Sequence, residues 1–333
     1  MRDRFFVSAY YDNGERSPRK TKREEIMNLK GKKGVDISSL NGNVSIEKIK
    51  DAGYDFVMIR CGYGSDLAVQ DDSQFENNVR KCEAAGVPWG AYLYSYAVNT
   101  DDAKSEARHV IRLLKNKKPT LPVAFDMEDA DGYKARNGNP SNATLVAICK
   151  TFLSEIKKAG YYPMLYSALS WLNGKLNDPS LLDNYDIWVA QWNSTCDYRG
   201  SYGMWQYGGE VNYIDGNTIA GVGVIDKDKA YKDYPTIIKN GGYNNWKKSN
   251  KKVLDTSGYK KGDKSTGVFA LKELLMISKQ LKITTQGMDQ NKIFGDGTEI
   301  AVNQVLKKGG YAQNGIAGDN FVKYLYGLIK AKL

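Results

Sequence analysis

Residues 121–129 read LPVAFDMED, an apolar run that ends in three acids within four positions. Its length and its Val and Phe content mark a strand buried on both faces. On such a strand Asp126 and Glu128 share one face, with Cα atoms about 6–7 Å apart. Runs of the same character lie on either side. They are KGVDIS (33–38), DFVMIRC (55–61), PWGAYLYSYA (88–97), YPMLYSA (162–168), DIWVAQW (186–192), YGMWQYG (202–208) and GVGVID (221–226). Between the first five strands sit helical patterns near 45–52, 71–85, 101–115 and 141–159. The first and the fourth end in Ala-Gly, a stop signal. Repeated strand–helix–strand units predict parallel strands, and eight strands over this length fit a closed barrel. The last three strands are too closely spaced for crossover helices. The expected fold is therefore α/β, an irregular TIM-like β/α barrel with eight strands and fewer helices.

The chain outside this region has a different grammar. Residues 1–33 are basic (net +5) and show no clear period, which predicts an N-terminal arm. Residues 34–240 form the expected barrel. GGYNNWKKSNKKV opens a stretch, 241–254, that is poor in apolar residues and reads as a linker. Residues 255–333 carry three helical patterns, 266–281, 298–310 and 319–333, and predict a small all-α module. The net charge of +10 divides unevenly, with −4 over 34–246 and +9 over 247–333. Such basic ends fit a solvated face or a polyanionic partner, whether nucleic acid, anionic membrane or acidic wall.

The composition narrows the chemistry. His109 is the single histidine, on a helical pattern where it reads as a surface residue rather than a catalytic base. Cys61, Cys82, Cys149 and Cys196 lack metal-knuckle spacing, so neither a metal site nor a disulfide framework is expected. No cofactor fingerprint or phosphate loop occurs. Mean hydropathy is −0.53 and no run reaches the about 18 apolar residues of a membrane span, so membrane insertion is not expected. Carboxylates and aromatics remain. Strand-end acids are ordinary helix caps when single. Here three strands offer them, through Asp36, the Asp126–Glu128 pair and Asp226. Two carboxylates that close disfavour double ionisation, so one is expected to hold a proton. A protonated acid beside an ionised one is what glycoside cleavage uses, and the bare alternative is two solvent-facing acids.

Taken in order, GVDISSLNG (34–42), GAYLYSYA (90–97), LPVAFDMED (121–129), MLYSALSWL (164–172), IWVAQWN (187–193), MWQYGG (204–209) and GVGVIDKD (221–228) resemble glycoside hydrolase family 25. That family contains the lysozymes found as phage endolysins and bacterial autolysins. The resemblance implies cleavage of the β-1,4 bond between N-acetylmuramic acid and N-acetylglucosamine in peptidoglycan, without a cofactor. It implies Glu128 as general acid/base and Asp126 as stabiliser of the oxocarbenium-like state, either as nucleophile or by orienting the acetamido group. Asp36 and Asp226 complete the acidic floor. The family's late pattern has Asn two residues after that last acid, where this chain has Asp228. Tyr94, Tyr96, Tyr166, Trp192 and Tyr207 are expected to line a sugar groove, with Gln206 and Arg60 as polar contacts.

IFGDGTEIAVNQVLKKGGYAQNGIAGDNFVKYL (293–325) resembles a small three-helix peptidoglycan-binding domain, with its closing turn altered to NGIAGDN. The implied partners are peptidoglycan glycan strands and an anionic cell wall rather than nucleic acid. Oligomeric state is not legible. The N-terminus lacks a secretory signal pattern, so the expected location is a host cytoplasm before release to the wall, or export by another route. Two rivals stand beside this reading. A chitinase-like glycosidase would show a D-x-x-D-x-D-x-E series, which is missing before Asp126. A non-catalytic wall- or nucleic-acid-binding protein would leave the acid set unexplained.

Overall fold

The computed structural model describes residues 27–247 and 253–333. The charged stretch 17–25 of the expected arm lies outside the described residues. Ten strands occur among those described. They are β1 Lys33–Ile37, β2 Phe56–Tyr63, β3 Trp89–Tyr94, β4 Val123–Asp126, β5 Pro163–Ala168, β6 Asp186–Ala190, β7 Met204–Gly208, β8 Thr218–Ile219, β9 Gly223–Val224 and β10 Asp226–Ala230. Eight of them close a barrel in the order β1-β10-β7-β6-β5-β4-β3-β2, and β8 pairs only with β9. The seven strands β1 to β7 run parallel. β10 is antiparallel to both its neighbours, β1 and β7.

Eight helices accompany the barrel: α1 Ile46–Asp51, α2 Phe75–Ala85, α3 Thr100–Leu113, α4 Tyr133–Arg136, α5 Asn142–Lys158, α6 Leu169–Leu172, α7 Pro179–Leu182 and α8 Tyr234–Gly241. Their starts are set by local chemistry. Ser45, Asn99 and Ser141 accept backbone N–H bonds from the first turns of α1, α3 and α5. The Ala-Gly stops behave as expected. Ala52 and Ala159 end α1 and α5, and Gly53 and Gly160 follow at φ +88° and +86°.

Period-two alternation sorts the strand residues into two cores. Val35, Val57, Ile59, Val123, Phe125, Leu165, Ile187 and Val189 point outward and are buried against the helices. Phe56, Met58, Tyr92, Ala124, Met164, Trp188, Met204 and Ala230 fill the barrel interior. At about 1.5–3 kcal/mol for each large apolar side chain, these two layers supply the main stabilisation.

Four expectations need correction. The closing strand was expected at 221–226 but runs from Asp226 to Ala230; the apolar run before it forms the β8–β9 hairpin. Asp226 therefore begins its strand instead of ending it. Because β10 is antiparallel, its first residue still reaches the mouth where the parallel strands end. His109 is not a surface residue but fully buried. Its Nδ1 lies 3.1 Å from the Gly64 carbonyl and its Nε2 2.8 Å from Asp71 Oδ1. Gly62 on β2 leaves room for the ring, since a Cβ there would lie 2.7 Å from His109 Cε1. The barrel also starts before residue 34: Leu29 is buried in the interior core, and Gly31 N–H bonds the Ala230 carbonyl at 2.7 Å. Finally, residues 241–247 are packed onto the barrel instead of forming a free linker. Asn244 is fully buried, donating to the Leu121 carbonyl at 2.8 Å and accepting from Tyr162 N–H at 2.9 Å. Residues 248–252 of that stretch lie outside the described residues.

Beyond them, α9 Thr266–Gln280, α10 Asp296–Lys308 and α11 Asp319–Lys330 pack around their own core of Val268, Leu271, Leu275, Val302, Phe321 and Leu325. Among the described residues no helix is long and apolar enough to cross a membrane.

Gly34 tests the interior packing. A Cβ at this position would fall on the fully buried Phe56 ring. Gly34→Ala should lower barrel stability by about 1–3 kcal/mol, the usual effect of overpacking, and denaturant unfolding measures it.

Candidate active site

The upper part of the barrel interior is polar where the lower part is apolar. A cavity of about 340 Å³ opens there, lined by Asp36, Arg60, Tyr94, Asp126, Glu128, Tyr166, Gln206 and Asp226. The structure thus brings all four expected acids and four of the seven expected binding residues to one place. A second hollow of about 340 Å³ adjoins it, sharing Glu128, Tyr166 and Gln206 and adding Trp192. Together they form one groove with Glu128 at the junction. A hollow of about 440 Å³ near Trp89 and Trp246 has Glu83 as its single carboxylate and holds none of this set.

Tyr96 and Tyr207 fall outside the groove lining. The Tyr96 hydroxyl donates to Asp131 Oδ2 at 2.9 Å, and its ring packs edge-on against Tyr94 and Tyr133. It buttresses the rim. Tyr207 follows Gln206 on β7, so alternation turns it outward; it is buried there and donates to Asp215 Oδ2 at 3.0 Å. Arg60 lines the cavity but is anchored, with Nε donating to Asp72 Oδ2 at 2.8 Å and a terminal nitrogen to Ser39 Oγ at 3.0 Å.

The acids are crowded. Asp36 and Asp226 face each other directly across the β1–β10 ladder. Burial pushes the Asp36 carboxyl well above its ordinary value, and the Asp226 charge adds to this. Gln206 Nε2 donates to Asp36 Oδ2 at 2.8 Å and partly offsets the shift. Asp126, at the end of β4, is likewise pushed well up, first by burial and then by the Glu128 charge. Glu128 is half-buried, and burial raises it too. Each carboxyl acts on the ionisation of the other, so the pair titrates as a unit. Asp226 is pushed up to about 6, by burial first and then by Glu210 and Glu128. The third acid of the motif serves the backbone instead, since Asp129 accepts from the Lys134 and Ala135 N–H groups and starts α4.

Sequence reasoning missed several site residues. Lys134 is buried and donates to the Glu128 carbonyl at 2.8 Å and to the Ser95 carbonyl, tying the ends of β3 and β4 together. Glu106 of α3 braces the same point from behind by accepting from Ser95 Oγ at 2.9 Å and Tyr96 N–H at 2.7 Å. Tyr92, Trp188 and Glu210 also line the cavity. Tyr92 was within reach of alternation, being two residues before Tyr94. Lys134 carried no local signal.

Asp226 gives a pH-dependent prediction. Its folded value lies above the about 3.9 of an unfolded Asp, so the folded chain binds more protons across that window. Its contribution to stability is therefore greatest below pH ~4 and is lost as pH rises through about 6. Asp226→Asn should stabilise the protein by about 2–3 kcal/mol at pH 7 and by little at pH ~3.5, read by unfolding at both values.

Comparison with known proteins places this geometry in context. The model of glycosyl hydrolases family 25 matches residues 35–216, which include Asp36, Asp126 and Glu128. The autolytic lysozyme of Clostridium acetobutylicum is 25% identical over 188 residues, covering 56% of this chain and 53% of that protein. Among solved structures, the modular autolysin LytC of Streptococcus pneumoniae, in complex with a synthetic peptidoglycan ligand, aligns with a TM-score of 0.51 at 28% identity. That alignment covers 60% of this chain and 46% of the autolysin. The chain thus spans about half the length of the relatives it matches.

Proposed function

The chain belongs to glycosyl hydrolases family 25, and on that premise we propose that it hydrolyses peptidoglycan at the β-1,4 bond between N-acetylmuramic acid and N-acetylglucosamine. One observation carries the reading: a closely set carboxyl pair, Asp126 and Glu128, opens onto a groove walled by Tyr94, Tyr166 and Trp192. Glu128 is the more exposed partner and stands where the two hollows meet. It hands the proton to the leaving glycosidic oxygen. Asp126 lies deeper, without solvent to screen it, and stabilises the positive charge that grows on the sugar ring. Lys134 holds the Glu128 backbone during this exchange. The tyrosines and Trp192 offer ring faces to the apolar faces of the sugars, and the half-exposed Trp192 forms the outer wall.

The reading extends to the whole chain. Residues 34–240 act as the hydrolase and residues 255–333 as a wall-binding module. The basic charge of the tail matches anionic wall polymers, and its separate hydrophobic core supports independent folding. The protein's place of action is the cell wall.

Glu128→Gln keeps the shape of the side chain and removes its proton. It should lower wall lysis by about 10²–10⁴-fold with the circular dichroism unchanged. Mass spectrometry of released muropeptides should show new reducing ends at muramic acid; reducing ends at glucosamine alone would refute the bond assignment.

A chain ending near residue 247 should stay folded and lose more activity on whole wall than on soluble glycan fragments, because a tethered module raises local concentration without touching the chemistry. Sedimentation of the isolated 255–333 segment with purified wall checks the module, and its binding should weaken as salt shortens the screening length from about 10 Å at 0.1 M to about 3 Å at 1 M.

A further inference from the structure

Asp228 stands outside the groove lining, yet it is fully buried, deeper than Asp126 or Asp36 at 4% and 6% exposed. The β10 register sets it opposite Gly34 on β1 and Gln206 on β7. Its Oδ1 accepts from Trp188 Nε1 at 2.8 Å. An indole nitrogen only donates, so Oδ1 is fixed as an acceptor. Oδ2 is equally buried and receives no N–H or O–H donor. The same register makes Asp36 its diagonal neighbour on the interior face of β1, and two carboxylates that meet there bond each other only through a proton.

The position of that proton follows from the next links. Gln206 Oε1 accepts from Trp192 Nε1 and from the Tyr166 hydroxyl, both at 3.0 Å. The Trp192 indole can only donate, so the Gln206 amide cannot be reversed. Its Nε2 therefore donates to Asp36 Oδ2, and Asp36 Oδ1 faces the Tyr92 hydroxyl at 3.5 Å. Both Asp36 oxygens thus accept from wall donors, Gln206 and Tyr92, whereas Oδ2 of Asp228 has none, which favours Oδ2 of Asp228 as the seat of the proton. We propose that Asp228 stands in the folded protein as a neutral carboxylic acid, donating to Asp36 and so holding Asp36 as the ionised anchor of Gln206 and the groove wall. Asp228 is a positioning residue and does not touch substrate. The titratable groups that act on it are Asp36 from β1, Asp226 from β10 and Tyr207 from β7, and Tyr92 from β3 bonds Asp36. The cavity's Arg60, on β2, is already paired with Asp72. Burial and the Asp36 charge both push the Asp228 carboxyl well up, in the same direction.

Infrared difference spectroscopy of wild type against Asp228→Asn at neutral pH tests the protonation directly. The expected result is a protonated-acid carbonyl stretch present in wild type and lost in the variant. Its absence would overturn the proposal whatever the protein does to cell wall, so this arm stands apart from the hydrolase reading on which the positioning role rests. The second arm is wall lysis. Asn keeps an acceptor toward Trp188 and a donor toward Asp36, so D228N should retain activity within about threefold, whereas D228L, with neither, should lose about tenfold or more. A folded D228N that loses as much as D228L overturns the positioning role. If D228L does not fold, D228N decides alone, since a tenfold loss in that folded variant overturns the role equally.

Discussion

Asp36 and Asp226 face each other across the β1–β10 ladder, and Asp126 and Asp228 are buried within the same polar layer. Like charges in a site with little water repel strongly, and each carboxylate there also loses hydration. Much of the surrounding structure compensates for this crowding. Burial pushes the Asp126 and Glu128 carboxyls up, which reduces the charge. Gln206 and Trp188 supply donors to Asp36 and Asp228. Lys134 brings a buried positive charge behind Glu128, which in part offsets the upward shift of both Asp126 and Glu128. The opposing stabilisation comes from the lower interior and the helix-facing layer, which are mainly apolar. The barrel is a rigid apolar base carrying a strained polar top, a division expected where preorganised charge is the purpose.

Topology delivers the last acid to that top. In an all-parallel barrel every residue at the mouth ends its strand. Here the eighth strand is reversed, so Asp226 at its start stands beside Asp36 on β1. A reversed strand needs no crossover helix, which is why the short β8–β9 hairpin suffices between β7 and β10. The same reversal lets one strand serve two levels. Asp226 reaches the cavity and Asp228, two residues on, lies beneath it.

The apolar runs made seven strands legible, and alternation correctly joined Asp126 to Glu128. Reading failed where the hydrophobic signal and the structure diverge. β10 reads DKDKA, with no apolar signature, because Asp228 bonds inward to Trp188 while Lys227 reaches outward to the Gly216 carbonyl at 2.6 Å. The apolar GVGVID before it attracted the assignment instead. His109 was misread because its helix gives no sign that a glycine on β2 leaves a space for the ring. Asn244 and Trp246 looked like linker residues by composition. They are held by backbone carbonyls at the barrel's lower rim, a long-range pairing invisible to local pattern. Tyr207 shows the converse, since alternation from Gln206 was enough to turn it away from the groove.

Gln206 links these levels. Its amide takes two donors from the groove wall, Tyr166 and Trp192, and gives one to the floor at Asp36. Because indole nitrogens at both ends of the path can only donate, the bonds from Trp192 to Gln206, from Gln206 to Asp36 and from Trp188 to Asp228 all run inward. Trp192 is 40% exposed, whereas Asp36 is almost wholly buried, so a side chain on the outer wall of the groove is tied to a carboxyl at its floor. A network of this kind adds little net stability over well-packed apolar residues, and breaking one link exposes the rest. Its contribution is geometric: the position of the outer aromatic wall and the ionisation of the acidic floor become one property. Any displacement of Trp192 must then act on Gln206, and through it on the carboxyls of the floor.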